Sequence, residues 1–145
     1  MTEPAEVSYL DPATLAFAHS MFEAARNGRD EVLAEHVDAG LPVNLTNDKG
    51  DTLLILAAYH QHLATVEVLL ARGADTSRSN DRGQTALAAA VFRRSSDITS
   101  ALVAAGADPD AGSPSARETA AFFELDDMSE LLPPPGSRQG TSGHN

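Results

Sequence analysis

The chain has 145 residues, no cysteine and a formal net charge of −11. Its length suits one domain with a modest core, and 42% hydrophobic with 21% charged residues is the composition of a folded protein rather than a disordered one. The lack of cysteine excludes disulfides, thiolate metal sites and cysteine nucleophiles. The acidic balance argues against nucleic acid as a partner, since a phosphate backbone would be repelled.

The beginning of the chain shows no sign of a targeting or anchoring segment. Residues 1–10 contain Glu3 and Glu6 and lack both a basic start and a long apolar stretch. No other stretch approaches the length of a membrane span. We therefore expect a cytoplasmic protein without membrane contacts, whose residues 1–10 form a disordered arm.

A helix pair with no turn motif before it is predicted to open the fold. Asp11 as N-cap and Pro12 at the first helical position start the first helix, and Gly28 follows its end. A partner helix over residues 31–39 ends at Gly40, because glycine readily adopts the left-handed conformation that closes a helix. We interpret this pair as an N-terminal capping repeat.

The strongest signal in the chain is an internal repeat. Residues 47–50, Asn-Asp-Lys-Gly, align with residues 80–83, Asn-Asp-Arg-Gly, and Thr52 aligns with Thr85 at the same offset. A fixed period with matched glycines indicates one structural unit that is used several times.

Each unit is predicted to consist of a turn, a helix, a short loop and a second helix that ends at glycine. Asn at the first position and Gly at the fourth position of residues 47–50 favour a type I turn, and Thr52 can cap the helix that follows. After a short break, the apolar spacing predicts a second helix over residues 63–72, which Gly73 ends.

The C-terminal end is predicted to be a cap followed by a tail. Residues 115–118, Ser-Ala-Arg-Glu, have the form of a capping box. Phe122 and Phe123 are expected in the core, because a terminal repeat must bury the last open face of a stack. The prolines at 133–135 cannot continue a helix, and residues 133–145 are expected to be disordered.

These motifs resemble those of the ankyrin repeat family. The similarity is carried by residues 50–58 with 68–75 and by residues 83–87 with 106–108, and it covers roughly residues 14–132. It implies an all-α ankyrin-repeat solenoid of about four helix-loop-helix units, two full central repeats between degenerate caps. The overall size resembles small single-domain bacterial ankyrin proteins, and we expect a monomer. The units are expected at residues 11–46, 47–79, 80–112 and 113–132.

The chain departs from the family pattern where the first helix of each central unit begins. Leu53 and Ile55 stand where the family usually has Pro and His, and the next unit has Ala86 and Ala88 there. The hydrogen bonds that the family's Thr and His share cannot form, which concerns local rigidity rather than the fold.

No group of residues has the pattern of a catalytic or metal site. His60 and His62 lie two residues apart, which points them in different directions on a helix, and no third ligand has a recognisable spacing. The chain has no phosphate loop, dinucleotide-binding glycine motif, nucleophile elbow or zinc-protease motif. We therefore predict a protein that is not an enzyme and has no catalytic residues, metal or cofactor.

The resemblance places the turn tips and the ends of the first helices on a concave face, where ankyrin proteins usually bind partners. Tyr59 and Phe92 are one period apart and should be neighbours there. Exposed rings beside arginine are typical interface anchors, whereas rings packed between repeats would be structural, and the sequence leaves both interpretations open. The candidate partner-binding residues are Arg26, Asn27, Asp48, Lys49, Asp51, Tyr59, His60, Asp81, Arg82, Gln84, Phe92 and Arg93.

The resulting hypothesis is a non-catalytic protein–protein interaction module, an adaptor or a regulator, with an unidentified protein partner. The acidic net charge favours a basic partner, because opposite charge speeds the encounter of two proteins. The alternative is an acidic inhibitor or immunity-type protein that blocks a basic enzyme. A tight one-to-one complex that abolishes an enzyme's activity would distinguish the alternative from the adaptor.

Overall fold

The structure is a computed structural model that describes residues 11–135. The predicted arm, residues 1–10, and residues 136–145 of the predicted tail lie outside the described residues. The described chain forms eight helices. They are α1 (Pro12–Arg26), α2 (Asp30–Asp38), α3 (Leu53–Tyr59), α4 (Leu63–Ala71), α5 (Ala86–Phe92), α6 (Ser96–Ala104), α7 (Ala116–Phe122) and α8 (Asp126–Leu131).

The helices form two layers. The inner helices α1, α3, α5 and α7 pack side by side in chain order, and the outer helices α2, α4, α6 and α8 do the same behind them. Each inner helix also packs against the outer helix that follows it. The described chain is therefore a solenoid of four helix pairs, which confirms the all-α fold that the resemblance implied.

Hydroxyl N-caps start three of the inner helices at the predicted positions. Thr52 Oγ1 accepts a hydrogen bond from the backbone N–H of Ile55 at 3.0 Å, and Thr85 Oγ1 accepts one from Ala88 at 3.1 Å. At α7 the predicted capping box is complete, since Ser115 caps the helix while its own N–H donates to the Glu118 carboxylate at 2.9 Å.

Asparagine side chains shape the turns and join them to each other. Asn47 Oδ1 accepts from the backbone N–H groups of Lys49 and Asp51, both at 2.9 Å. The same bonds recur around Asn80, whose Nδ2 also donates to Asp51 Oδ1 at 2.8 Å. Adjacent turns are therefore held in register by a side-chain hydrogen bond as well as by helix packing.

The middle inner helices are buried almost from end to end. Residues 53–58 of α3 and residues 86–91 of α5 are all buried, because each helix has an inner neighbour on both sides and an outer helix behind it. The alanines of α5 allow close approach of the neighbouring backbones. Only the last residue of each helix, Tyr59 or Phe92, reaches the surface.

The prediction that Phe122 and Phe123 are core residues was wrong. Their side chains are 79% and 49% exposed. Leu125, Met128 and Leu132 are buried in the last helix pair instead. The reason is the register of α7, which places Phe122 at the end of an inner helix rather than on the face that packs against α8.

A salt bridge joins the ends of the first two outer helices. The guanidinium of Arg72 donates from Nε to Asp38 Oδ1 at 2.9 Å and from Nη2 to Asp38 Oδ2 at 3.1 Å. The hydrogen bond from Arg72 holds the pKa of the Asp38 carboxyl below its ordinary value. The contact is bidentate, but because Asp38 is exposed we expect the pair to contribute little to stability.

His62 joins the first two helix pairs and explains the glycine at position 28. Its Nε2 donates to the backbone oxygen of Arg26 at 2.8 Å, and its ring lies against Gly28. Gln61 and Arg94 come two residues after the ends of α3 and α5, as Gly28 does after α1. Both adopt a positive φ although neither is glycine. The backbone conformation alone therefore does not require Gly28, but the His62 ring does, since an added Cβ would lie 2.6 Å from Nδ1.

Gly28→Ala should lower the free energy of unfolding more than Gly73→Ala does. Both glycines have a φ near the left-handed region, 73° and 87°, so both alanines are strained by about 1–2 kcal/mol. At Gly73 an added Cβ has open space, whereas at Gly28 it displaces His62 and its hydrogen bond, which costs about 1 kcal/mol more. Urea unfolding of the two variants measures this difference, and equal losses would contradict the role of His62.

Candidate functional site

Four aromatic side chains form a continuous row across the ends of the inner helices. The rings of Tyr59 and Phe92 are nearly parallel, with centroids 6.4 Å apart. Phe92 meets Phe123 edge-on at 5.7 Å, and Phe123 meets Phe122 edge-on at 4.8 Å. We call these four residues the aromatic row. Three of the four rings are exposed. Contacts between rings of this kind are favourable, so the four rings stabilise one another's positions.

The aromatic row borders a groove of about 770 Å³ along α3, α5 and α7. Small residues of the inner helices, Ala88 and Thr119, lie in the groove, and the turn-side residues Arg82, Gln84 and Pro114 also line it. Its volume lies within the range of about 300–1,000 Å³ that is usual for ligand pockets. The groove can therefore receive one or more large apolar side chains between the rings and the turns.

Positive charge surrounds the Tyr59 end of the aromatic row. The Arg93 guanidinium lies over the Tyr59 ring, 4.9 Å from its centroid, in a cation–π contact. The His60 ring lies edge-on to Tyr59 at 5.2 Å. Partial burial lowers the pKa of His60, and the nearby positive charges of Arg26, His62 and Arg93 lower it further, against the opposing effect of Asp51.

The turn tips form smaller hollows outside the main groove. Lys49, Asp51, Asp81 and Arg82 line one of about 280 Å³ with Asn80. A second, of about 270 Å³, lies nearer the N-terminal end. It is lined by His19, Phe22, Glu23, Arg26, Asn47 and Asp48.

The twelve candidate residues therefore fall into separate places rather than one site. Tyr59, Arg82, Gln84 and Phe92 line the main groove, and His60 and Arg93 flank it. The other charged candidates line the smaller hollows. The amide of Asn27 donates to the backbone oxygen of Glu23 at 2.9 Å, an intrahelical contact at the end of α1. The role of the twelve candidate residues in binding remains a prediction.

Tyr59 and Phe92 differ in how far they are buried. Phe92 is 44% exposed, whereas Tyr59 is partly buried and packs against the core. Both rings still border the groove. They are therefore neither core residues alone nor free surface residues.

Sequence reasoning missed the C-terminal half of the groove, which is lined by Pro114, Glu118, Thr119, Phe122 and Phe123. A signal for it was present in the chain. Tyr59, Phe92 and Phe122 are each the last residue of a seven-residue helix that a hydroxyl N-cap starts. Counting from Ser115, as from Thr52 and Thr85, would have placed Phe122 beside the other two rings.

The histidines that suggested a metal have other contacts. His62 is bonded to the Arg26 backbone, and His60 lies against Tyr59. Between residues 11 and 135, no group of three or more His, Cys, Asp or Glu side chains is arranged to hold a metal ion. No helix in that same part of the chain is long and apolar enough to cross a membrane.

Comparison with known proteins agrees with the repeated helix pairs. A family model of ankyrin repeats, in three copies, matches residues 21–113. This is well over half of the chain, and the chain belongs to the ankyrin repeat family. Members of this family generally mediate protein–protein interactions and are typically not catalytic.

A curated relative supports the same assignment over a shorter range. The chain is 48% identical over 59 residues to an ankyrin repeat protein from Pseudomonas aeruginosa. The match covers 41% of this chain and 34% of that protein. The matched region thus spans about a third of the relative's length.

Proposed function

We propose that the chain is a non-catalytic adaptor or regulator that binds a protein partner in the groove beside the aromatic row. The observation that carries the proposal is three exposed phenylalanines, Phe92, Phe122 and Phe123, held in mutual contact at one side of an open groove. Exposed apolar patches mark interaction sites, and aromatic residues, Phe among them, are enriched in protein interfaces.

The layout of the solenoid supports this use of the groove. Inner helices of seven residues are about 10 Å long, so the turns and the aromatic row stand apart by about the width of one helix. A groove of this width suits an extended segment or one face of a helix from a partner. Both are common modes of peptide recognition.

The inhibitor alternative is favoured by a different part of the molecule. The outer helices carry nine acidic residues and no Lys or Arg within their bounds, so a basic enzyme would meet its complementary charge there. These residues are Asp30, Glu31, Glu35, Asp38, Glu67, Asp97, Asp126, Asp127 and Glu130. Substitutions on the outer helices, rather than in the groove, should then abolish binding.

Affinity capture with chemical cross-linking tests the proposal in cells that make the protein. The full chain is compared with the double variant Phe92→Ser and Phe122→Ser and with Phe17→Ser, which removes a similarly exposed ring from α1. The proposal predicts proteins that the wild type and the α1 control retain and that the groove variant loses. Partners retained equally by all three would contradict it.

A further inference from the structure

The arginines beside the groove differ from most others in having no carboxylate partner. Within residues 11–135, five arginines form ion pairs with Asp or Glu, and Arg82 and Arg93 do not. Arg82 is exposed and lines the groove, and Arg93 lies over Tyr59 at its edge. Two guanidinium groups therefore remain able to bind an anionic group that a ligand brings.

The carboxylates nearest Arg82 do not pair with it in the described part of the chain. Asp51 and Asp81 line the neighbouring hollow together with Arg82, and Asp51 accepts a hydrogen bond from Asn80 at 2.8 Å.

Glu118 lines the groove, but its carboxylate accepts from the N–H of Ser115 and stands at the start of α7, where a negative charge is favourable. The acidic residues of the outer helices lie a full helix layer, about 8–10 Å, behind the inner helices. That separation is about one Debye length at physiological salt, so the acidic residues of the outer helices act on a ligand in the groove more weakly than Arg82 and Arg93 do.

We propose that the groove recognises a segment of its protein partner in which a large apolar side chain stands next to one or two carboxylates. The apolar side chain packs on the aromatic row above Ala88 and Thr119, and a carboxylate accepts hydrogen bonds from Arg82. A second carboxylate can reach Arg93. This inference rests on the proposed function and reverses the sign of partner charge that the overall composition had favoured.

The aromatic row on one side of the groove and Arg82 on the other favour such a segment over a basic one. Arginine presents a planar fork of donors that matches a carboxylate, and the rings beside it remove water from that contact. A lysine or arginine at the same place would face Arg82 and Arg93, and like charges in an interface are strongly unfavourable. An entirely apolar segment would leave Arg82 desolvated without a partner.

Selection from a displayed library of short random peptides tests the inference without knowing the natural partner. The full chain is the bait, and binders to the Phe92→Ser and Phe122→Ser double variant are removed. The inference predicts that the enriched peptides combine Phe, Leu, Trp or Met with a nearby Asp or Glu. Enriched peptides that are basic or uncharged would overturn it while leaving the proposed function intact. No groove-dependent enrichment would overturn both.

An enriched peptide then allows a matched measurement of the charge contact. Arg82→Gln should weaken its binding by about three- to tenfold, and replacing its carboxylate by the amide should have the same effect without adding to it. Arg29→Gln, which removes an exposed arginine outside the groove, should change the affinity less than about twofold. Equal effects of Arg82→Gln and Arg29→Gln would overturn the inference.

Discussion

Leu87→Ala is expected to lower the free energy of unfolding by about 2–5 kcal/mol. Leu87 is 1% exposed, and its helix α5 packs against α3, α6 and α7. Truncation therefore leaves a cavity at the centre of the stack, where relaxation is limited. Since domains of this size are stable by only about 5–15 kcal/mol, the substitution removes a large part of the total and can unfold the array.

The control for Leu87 lies on the same helix. Phe92→Ala removes a larger side chain, but one that is 44% exposed, so its cost should be about 1 kcal/mol or less. Urea unfolding followed by circular dichroism gives both values. A Leu87→Ala curve that overlays the wild type, or a larger loss for Phe92→Ala, would show that the core has been assigned to the wrong face of α5.

Replacing both Tyr59 and Phe92 by Ala is expected to cost about 1–4 kcal/mol of binding free energy toward a groove ligand. The two rings stack at 6.4 Å and form one end of the aromatic row, so their loss removes both apolar contact and the support of Phe123. The stability cost should be about 1–2 kcal/mol and should come chiefly from Tyr59, which is partly buried.

Calorimetric titration with a selected peptide and thermal unfolding must be done on the same variants. Phe17→Ala, which removes a 41% exposed ring from α1, should leave the affinity unchanged. If the Tyr59 and Phe92 double variant lost stability yet bound with undiminished affinity, the rings would be core residues and the binding face would lie elsewhere.

The fold could be predicted because its signals are local and repeated. Thr52, Thr85 and Ser115 cap inner helices as expected. A type I turn was predicted at residues 47–50, and there and at residues 80–83 a hydrogen bond joins the first and fourth residues. The constant offset between these two turns then fixes which helices are neighbours. None of these inferences needs a long-range contact as input.

The site was only half predicted because the last repeat breaks the period. Phe122 comes less than one full period after Phe92, so alignment by period missed it. Reasoning from hydrophobicity then placed Phe122 and Phe123 in the core, although Leu125, Met128 and Leu132 already fill that place. The general need of a terminal repeat to bury apolar surface was correct, but it did not say which apolar residues do so.

The total charge does not say which charges lie beside the groove. The net charge of −11 suggested a basic partner, but charge in this fold is distributed by layer. The outer helices carry acidic residues without Lys or Arg, whereas α3 and α5 are uncharged and are bordered by both signs of charge, Arg82 and Arg93 with Asp51 and Asp81. The arrangement of the helix pairs, and not the net charge, determines where each charged residue lies.

Site-specific photo-cross-linking tests the central claim, that a protein partner docks beside the aromatic row, most directly. Benzoylphenylalanine replaces Phe92 in one variant and Phe17 in another, each expressed as the full chain in cells that make the protein. Both positions are similarly exposed, at 44% and 41%, so unspecific cross-linking should be alike. We predict a discrete protein adduct from position 92 that is missing from position 17. An adduct from position 17 with none from position 92 would contradict it.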